Sequence, residues 1–273
     1  MKKNKSLLLS GPYIAWMVIF TLIPLGVVLY YAMTDVETGK FTLGNLSNLL
    51  LYMPALWRSI LYSFVSAVIC LLIGYPVAYY MAHCGATAQK FLYMLVMLPM
   101  CMSFLLRTLA WVGLLQDTGI INNFLASLGL PRLQLIRTPG AVILGMVYNY
   151  LPYMILPLYS IIVKIDHRLI EAAEDLGCNR LQVFSKVILP LSMPGILSGM
   201  TMVFVPAVST FYISNKLGST ETVLIGDIIE RQFKQGDNAN MGAALSLLLM
   251  LLVFVCTGII NRFGGDEEGA VIV

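Results

Sequence analysis

The chain has 273 residues, of which 59% are hydrophobic and only 11% charged, with a net charge of +3 and a mean hydropathy of +0.83. A water-soluble domain carries roughly a quarter charged residues, so a soluble globule is excluded and an all-α integral membrane protein is expected. Beyond the short Lys2, Lys3, Lys5 cluster there is no basic block, and nucleic acid is excluded as a partner.

A helical crossing needs about 20 mostly apolar residues, and six stretches meet that requirement. The first covers about residues 7–33, with no charge between Lys5 and Asp35. It exceeds the roughly 7–15 apolar residues of a cleaved signal peptide, so it reads as a retained anchor. The others cover about residues 60–82, 91–115, 140–163, 188–213 and 241–260. Helices are expected because the runs lack the alternation of barrel strands, and a helix satisfies its own backbone in lipid. Pro24, Pro76, Pro99, Pro152, Pro157, Pro194 and Pro206 each remove a backbone donor, which predicts kinks or local breaks. The third run contains Arg107. A charge at mid-bilayer costs about 2.5–3.5 kcal/mol, so the span is expected to end near Leu106, with the Trp111 region as a surface helix and Arg107 in a structural or docking role.

Lys and Arg divide almost evenly between the two sides. The cluster abutting the first span places the amino terminus, and with six crossings both termini, in the cytoplasm. The five cysteines show no paired spacing, so neither structural zinc nor a disulfide scaffold is expected. Gly195 and Gly199 form a Gly-x-x-x-Gly pair that permits close helix approach, to a subunit or within the chain.

The densest charge lies between the fourth and fifth spans: Lys164, Asp166, Arg168, Glu171, Glu174, Asp175, Arg180 and Lys186, together with His167. Asp166 can cap a first helix in which Leu169, Ala173 and Leu176 form an apolar stripe, and Gly177 can end it. Asn179 can cap a second piece, where Leu181, Phe184 and Ile188 continue the apolar face into the fifth span. The result is a helix, a sharp turn and a second helix at the membrane surface. Small Ala172 and Ala173 allow another surface to approach closely, which favours a docking element. The other reading is an elbow lying in the headgroups, which the balanced charge disfavours.

Glu171-Ala172-Ala173, then Gly177 four residues on, then Val187-Ile188-Leu189-Pro190, resembles the EAA loop of permease subunits of ATP-binding-cassette importers. Val187 stands where that pattern usually has isoleucine. The segments Leu106 to Trp111, Gly119 to Asn123, Leu144 to Pro152, Phe204 to Ala207 and Phe211 to Ser214 are similar to the B-type subunit of spermidine/putrescine permeases. Importers of iron, sulfate and other solutes share the loop and layout. The resemblance implies a type I importer permease fold with six transmembrane helices and a cytoplasmic coupling helix. Its division would be residues 1–55 as a first helix and outer loop, 56–262 as the core permease domain with its coupling loop at 164–190, and 263–273 as a cytoplasmic tail. Glu171, Ala172, Ala173, Leu176, Gly177, Val187, Leu189 and Pro190 would then couple to an ATPase. The implied partners are a second permease subunit, in a heterodimer, two cytoplasmic ATPase subunits that hold ATP and Mg, and an extracellular or periplasmic polyamine-binding protein. The setting would be the bacterial cytoplasmic membrane.

A polyamine entering the membrane loses water from several ammonium groups. The six spans contain no Asp or Glu, so aromatic faces, hydroxyls, amides and carbonyls freed at prolines must replace that water. The candidates are Tyr148, Asn149, Tyr150 and Tyr153 in span four, with Ser209, Thr210 and Tyr212 in span five; tyrosines packed between helices or at the lipid interface are the competing reading. Asp227, Glu230 and Asp237 in the last outer loop are placed to meet a cation or a delivery protein, or are simply solvated. No phosphate-binding Gly-x-x-x-x-Gly-Lys motif is present, so energy must come from a partner, and this chain binds no cofactor of its own. A gradient-driven carrier would place an ionisable group at the midplane, which is lacking. His83 and His167 lie far apart in sequence and make no catalytic motif, so neither a catalytic residue nor a metal site is expected.

Overall fold

The structure, a computed structural model, describes residues 12–13, 15–35, 39–42, 44–234 and 238–263. Apart from one isolated bridge between Thr34 and Phe41, its regular elements among the described residues are helical. Besides short helical turns such as Gly44–Ser47, Asn48–Tyr52 and Thr220–Thr222, they are α1 (Ala15–Ala32), α2 (Met53–His83), α3 (Ala86–Met97), α4 (Phe104–Leu115), α5 (Ile120–Ser127), α6 (Pro139–Ile162), α7 (His167–Asp175), α8 (Arg180–Val208), α9 (Tyr212–Leu217), α10 (Ile225–Lys234) and α11 (Ala239–Phe263). Among the described residues, six apolar helical segments have the length to cross a membrane.

The third expected span differs from its sequence reading. α3 passes into a tight 3-10 turn, Leu98–Cys101, then Met102 and Ser103 leave helical geometry before α4 begins. Pro99 lies in that turn, where its missing N–H and its ring oppose continuation of the helix. The apolar run that is long enough to span is Phe104–Ser127, divided by a turn before α5. No helix ends near Leu106; Arg107 and Trp111 share α4. The other prolines act more gently. Pro76, Pro152, Pro157, Pro194 and Pro206 lie inside continuous helices. Two wide π turns, Val18–Leu22 and Phe184–Ile188, precede or flank Pro24 and Pro190, where a widened turn tolerates a residue that cannot donate.

The chain forms two compact units. One comprises the described residues up to Pro54 together with Ile228–Leu252. Within it the end of α1 is tied by side-chain amides: Asn45 Nδ2 donates to the carbonyls of Ala32 (3.2 Å) and Thr34 (2.9 Å), and Asn240 Nδ2 donates to Thr34 O at 2.6 Å.

The second unit comprises Ala55–Asp227 and the described residues from Val253 onward. Its core is α6, whose Val142, Met146, Met154 and Leu158 are fully buried. α2 meets it with a stripe of small side chains, Ser59, Ser63, Ser66, Ala67, Cys70, Gly74 and Ala78, all buried. Ser66 Oγ reaches Met146 Sδ at 3.4 Å, and a Cβ on Gly74 would come within 3.1 Å of Met154. α8 packs along the same helix through Gly195 and Gly199. A Cβ at Gly199 would fall 2.6 Å from Met154 Sδ and 3.3 Å from Met154 O, and one at Gly195 would fall 3.2 Å from Pro157 O. The Gly-x-x-x-Gly pair therefore makes a contact within this chain, the close approach that small residues permit between membrane helices.

Candidate functional site

α7 and the turn after it are built by local signals. Asp166 caps α7 by accepting from Arg168 N at 3.0 Å. At the other end Gly177 has a φ of 83°, Cys178 N donates to Ala173 O at 3.1 Å and Gly177 N donates to Glu174 O at 2.9 Å. This paired closure needs a left-handed residue, which glycine supplies without a Cβ penalty. Asn179 and Gln182 then exchange reciprocal hydrogen bonds, each 2.9 Å, in a capping box that opens α8.

None of α7 is buried. Glu171 and Ala172 are exposed and Ala173 is half-buried. Leu169 is 48% exposed, Leu176 86% and Leu181, beyond the turn, 79%. Leu181 departs from its sequence reading, since it faces outward while the apolar face that enters the fold consists of Val183, Phe184 and Ile188. Phe184 packs edge-on against Tyr75 of α2 at 5.5 Å and against Tyr79 at 6.2 Å, and Tyr75 Oη pairs with Ser192 Oγ at 2.8 Å. Val183 and Ile188 are buried, Val187 and Leu189 half-buried and Pro190 exposed. Beside the root of α7 lies a cavity of about 240 Å³ lined by Ala82, His83, Ile162, Val163, Ile165, His167, Ile170 and Ile188, which brings the two histidines onto one hollow. The element is thus a capped helix with an uncovered apolar face, anchored by aromatic packing to α2 and carried on α8.

The proposed pathway residues fall into several environments. Tyr148 is partly exposed and packs edge-on against Trp111 of α4 at 5.4 Å. Asn149 is 1% exposed; its Nδ2 donates to Gly145 O at 2.9 Å, and its Oδ1 is buried without a partner. Tyr150 Oη donates to Pro206 O at 3.3 Å, with its ring 6.4 Å from that of Tyr153. Ser209 Oγ donates to the carbonyls of Val205 and Pro206, and Thr210 is buried after the end of α8. The Tyr212 ring lies 6.1 Å from Phe104 and 5.9 Å from Lys216 Nζ. Phe104, Trp111 and Lys216 are not pathway candidates from the sequence; the helical spacing of Phe104 and Trp111 about Arg107 is the available signal.

Arg107 is 7% exposed, and its Nε and Nη1 are buried without a hydrogen-bond partner.

The acidic residues of the last outer loop also separate. Asp227 is 3% exposed: one carboxylate oxygen accepts from Ser214 Oγ and the other from Leu224 N, both at 2.9 Å. It lies in the first turn of α10, where a carboxylate both satisfies the cap N–H and favours the helix dipole. Nearby, Ile225 N donates to Ser59 Oγ at 2.8 Å, and the Arg58 guanidinium donates to Glu221 O. Glu230 forms an ion pair with Lys234 at 2.6 Å. Asp237, like the tail from residue 264, lies outside the described residues. Among the described residues no group of three or more His, Cys, Asp or Glu is arranged to hold a metal ion.

Residues 6–264 match the family model for the binding-protein-dependent transport system inner membrane component. The chain is 39% identical over 254 residues to the spermidine/putrescine transport system permease protein PotB of Haemophilus influenzae, covering 88% of this chain and 89% of that protein. It is 36% identical over 249 residues to PotB of Escherichia coli, covering 88% and 90%. Among solved structures, a bacterial ABC transporter involved in import of the acidic polysaccharide alginate superposes with a TM-score of 0.81 at 18% identity, covering 98% of this chain and 100% of that one. The MetNI methionine ABC transporter in an inward-facing conformation superposes with a TM-score of 0.61 at 20% identity, covering 79% and 95%. These two likenesses establish a shared fold, the type I importer permease.

Proposed function

The chain belongs to the family of binding-protein-dependent transport system inner membrane components, and from that premise we propose that it is the polyamine-conducting permease subunit of an ATP-driven importer. It is a multi-pass inner membrane protein and a non-catalytic subunit; ATP and Mg are held by a separate ATPase. In this reading both termini are cytoplasmic, a second, different permease subunit completes the pathway, two ATPases dock from the cytoplasm, and a binding protein delivers spermidine or putrescine from outside.

The observation that carries the coupling role is the state of α7 and the start of α8: α7 is capped at both ends, Leu176 at its end and Leu181 on α8 stand almost wholly exposed, and Phe184 roots α8 on Tyr75. Exposed leucines on a rigid element are surface that gains about 1.5–3 kcal/mol each when covered. Glu171, Ala172, Ala173, Leu176 and Gly177 would form the contact, and Val187, Leu189 and Pro190 would carry its movement into α8. Substrate conduction rests on a different feature. Apart from the exposed Asp117 in the turn between α4 and α5, the spans offer a cation no carboxylate; the candidates are the rings of Tyr148, Tyr150, Tyr153 and Tyr212, the hydroxyls of Ser209 and Thr210, and the buried unpartnered Oδ1 of Asn149. Each ring contact is worth about 0.5–2 kcal/mol, a hold suited to passage rather than storage. Glu230, paired with Lys234, would be the acidic residue of the last outer loop that meets a cation, whereas Asp227 is occupied in capping.

The test is cysteine cross-linking in the assembled importer combined with transport. Cysteine at Ala172 or Leu176 should cross-link to the ATPase, and proteoliposomes supplied with ATP should take up labelled spermidine and putrescine in preference to unrelated solutes. Cross-linking only to outer-side components, or uptake driven by an ion gradient without ATP, would refute the reading.

A further inference from the structure

One aromatic side chain assigned above to the pathway already has a cation of the chain itself nearby. Lys216 sits one turn beyond Tyr212 on α9 and is solvent-exposed, yet its Nζ lies 5.9 Å from the Tyr212 ring centroid; among the described residues no carboxylate forms an ion pair with it. An ammonium in such surroundings is held by a ring face in place of a counter-ion, the same means by which the pathway would hold a polyamine.

We propose that Lys216 is a tethered cation that occupies the Tyr212 site of the conduit in this conformation, so that an incoming ammonium must displace it. This inference rests on the pathway reading given above. Its consequence is selection by charge number. A tethered cation competes at high effective concentration, which a singly charged ion cannot overcome by one weak contact, whereas a ligand with several linked ammonium groups engages a second site once the first is gained. Small monovalent cations are thereby turned away from the Tyr212 site.

The experiment measures KM for labelled spermidine and putrescine in proteoliposomes containing the complete importer, with Lys216→Gln, Tyr212→Leu and the double variant. Lys216 is exposed, so its replacement leaves the fold intact, and permease abundance in the vesicles is measured for each protein. Lys216→Gln should lower KM about two- to five-fold, the equivalent of a cation–π contact of ~0.5–1 kcal/mol at an exposed site. Tyr212→Leu should raise KM, and the double variant should lose the gain, since no ring remains to be freed. If Tyr212→Leu raises KM while Lys216→Gln leaves it unchanged or raises it, the tethered-cation proposal is overturned and the pathway reading stands. If Tyr212→Leu has no effect on KM, Tyr212 is not in the pathway and both fall.

Discussion

Removing the two outward leucines of the coupling element separates docking from folding. Leu176 is 86% exposed and Leu181 79% exposed, so converting both to serine takes almost nothing from the permease's own packing, and its stability should change by no more than about 0.5 kcal/mol. In the assembled importer the same side chains would be covered. Burying a leucine is worth about 1.5–3 kcal/mol, and allowing for incomplete cover the pair contributes about 2–5 kcal/mol, which corresponds to a roughly thirty-fold to several-thousand-fold loss of ATPase affinity. The assay is retention of the ATPase during detergent purification of the Leu176→Ser/Leu181→Ser complex, with ATP-driven uptake in parallel and thermal unfolding of the isolated permease as control. Wild-type retention and wild-type uptake would refute the reasoning, and a large fall in the permease's own melting temperature would show that these side chains are structural.

Gly177→Val places a β-branched residue at a φ of 83°, which costs at least about 1–2 kcal/mol; the turn after α7 should open, seen as faster proteolysis between Glu174 and Arg180 and lost uptake with unchanged membrane insertion. Gly199→Val drives a side chain toward Met154, where even a Cβ would lie 2.6 Å from Sδ; overpacking of about 1–3 kcal/mol should lower the thermal midpoint of the complex. Asp227→Ala removes the acceptor of both Ser214 Oγ and Leu224 N. It should destabilise the permease by about 1–3 kcal/mol and reduce its abundance while leaving KM unchanged, whereas a raised KM at normal abundance would assign Asp227 to cation capture.

The coupling loop was legible residue by residue because its determinants are local. Asp166, Gly177 and Asn179 act on backbone groups within a few positions of themselves, and each does in the structure what its type and position predict. Periodicity alone groups Leu181 with Phe184 and Ile188 because it does not say where a helix begins to be covered. The capping box at Asn179 restarts the helix, and burial begins only at Val183. The third span differs for a related reason. Hydropathy does not register that Pro99 and a two-residue extended step divide the run, so a continuous apolar window predicts one helix where the chain makes two.

Asp227 and Arg107 show the other boundary. An aspartate in a polar outer segment is most simply solvated; that this one lies inside, holding the starts of two short helices together, depends on Ser214 returning to it. The cost of charge in lipid favours Arg107 near the membrane surface, but only the fold shows it buried on α4, where its helix neighbours Phe104 and Trp111 meet rings of α9 and α6. Composition and run length determined that this protein lives in the membrane as a helical bundle, since apolar area and backbone hydrogen bonding scale with local sequence. Only the tertiary structure decided which glycines touch which helix, which carboxylate caps and which cation meets which ring, because each requires residues far apart in the chain to converge.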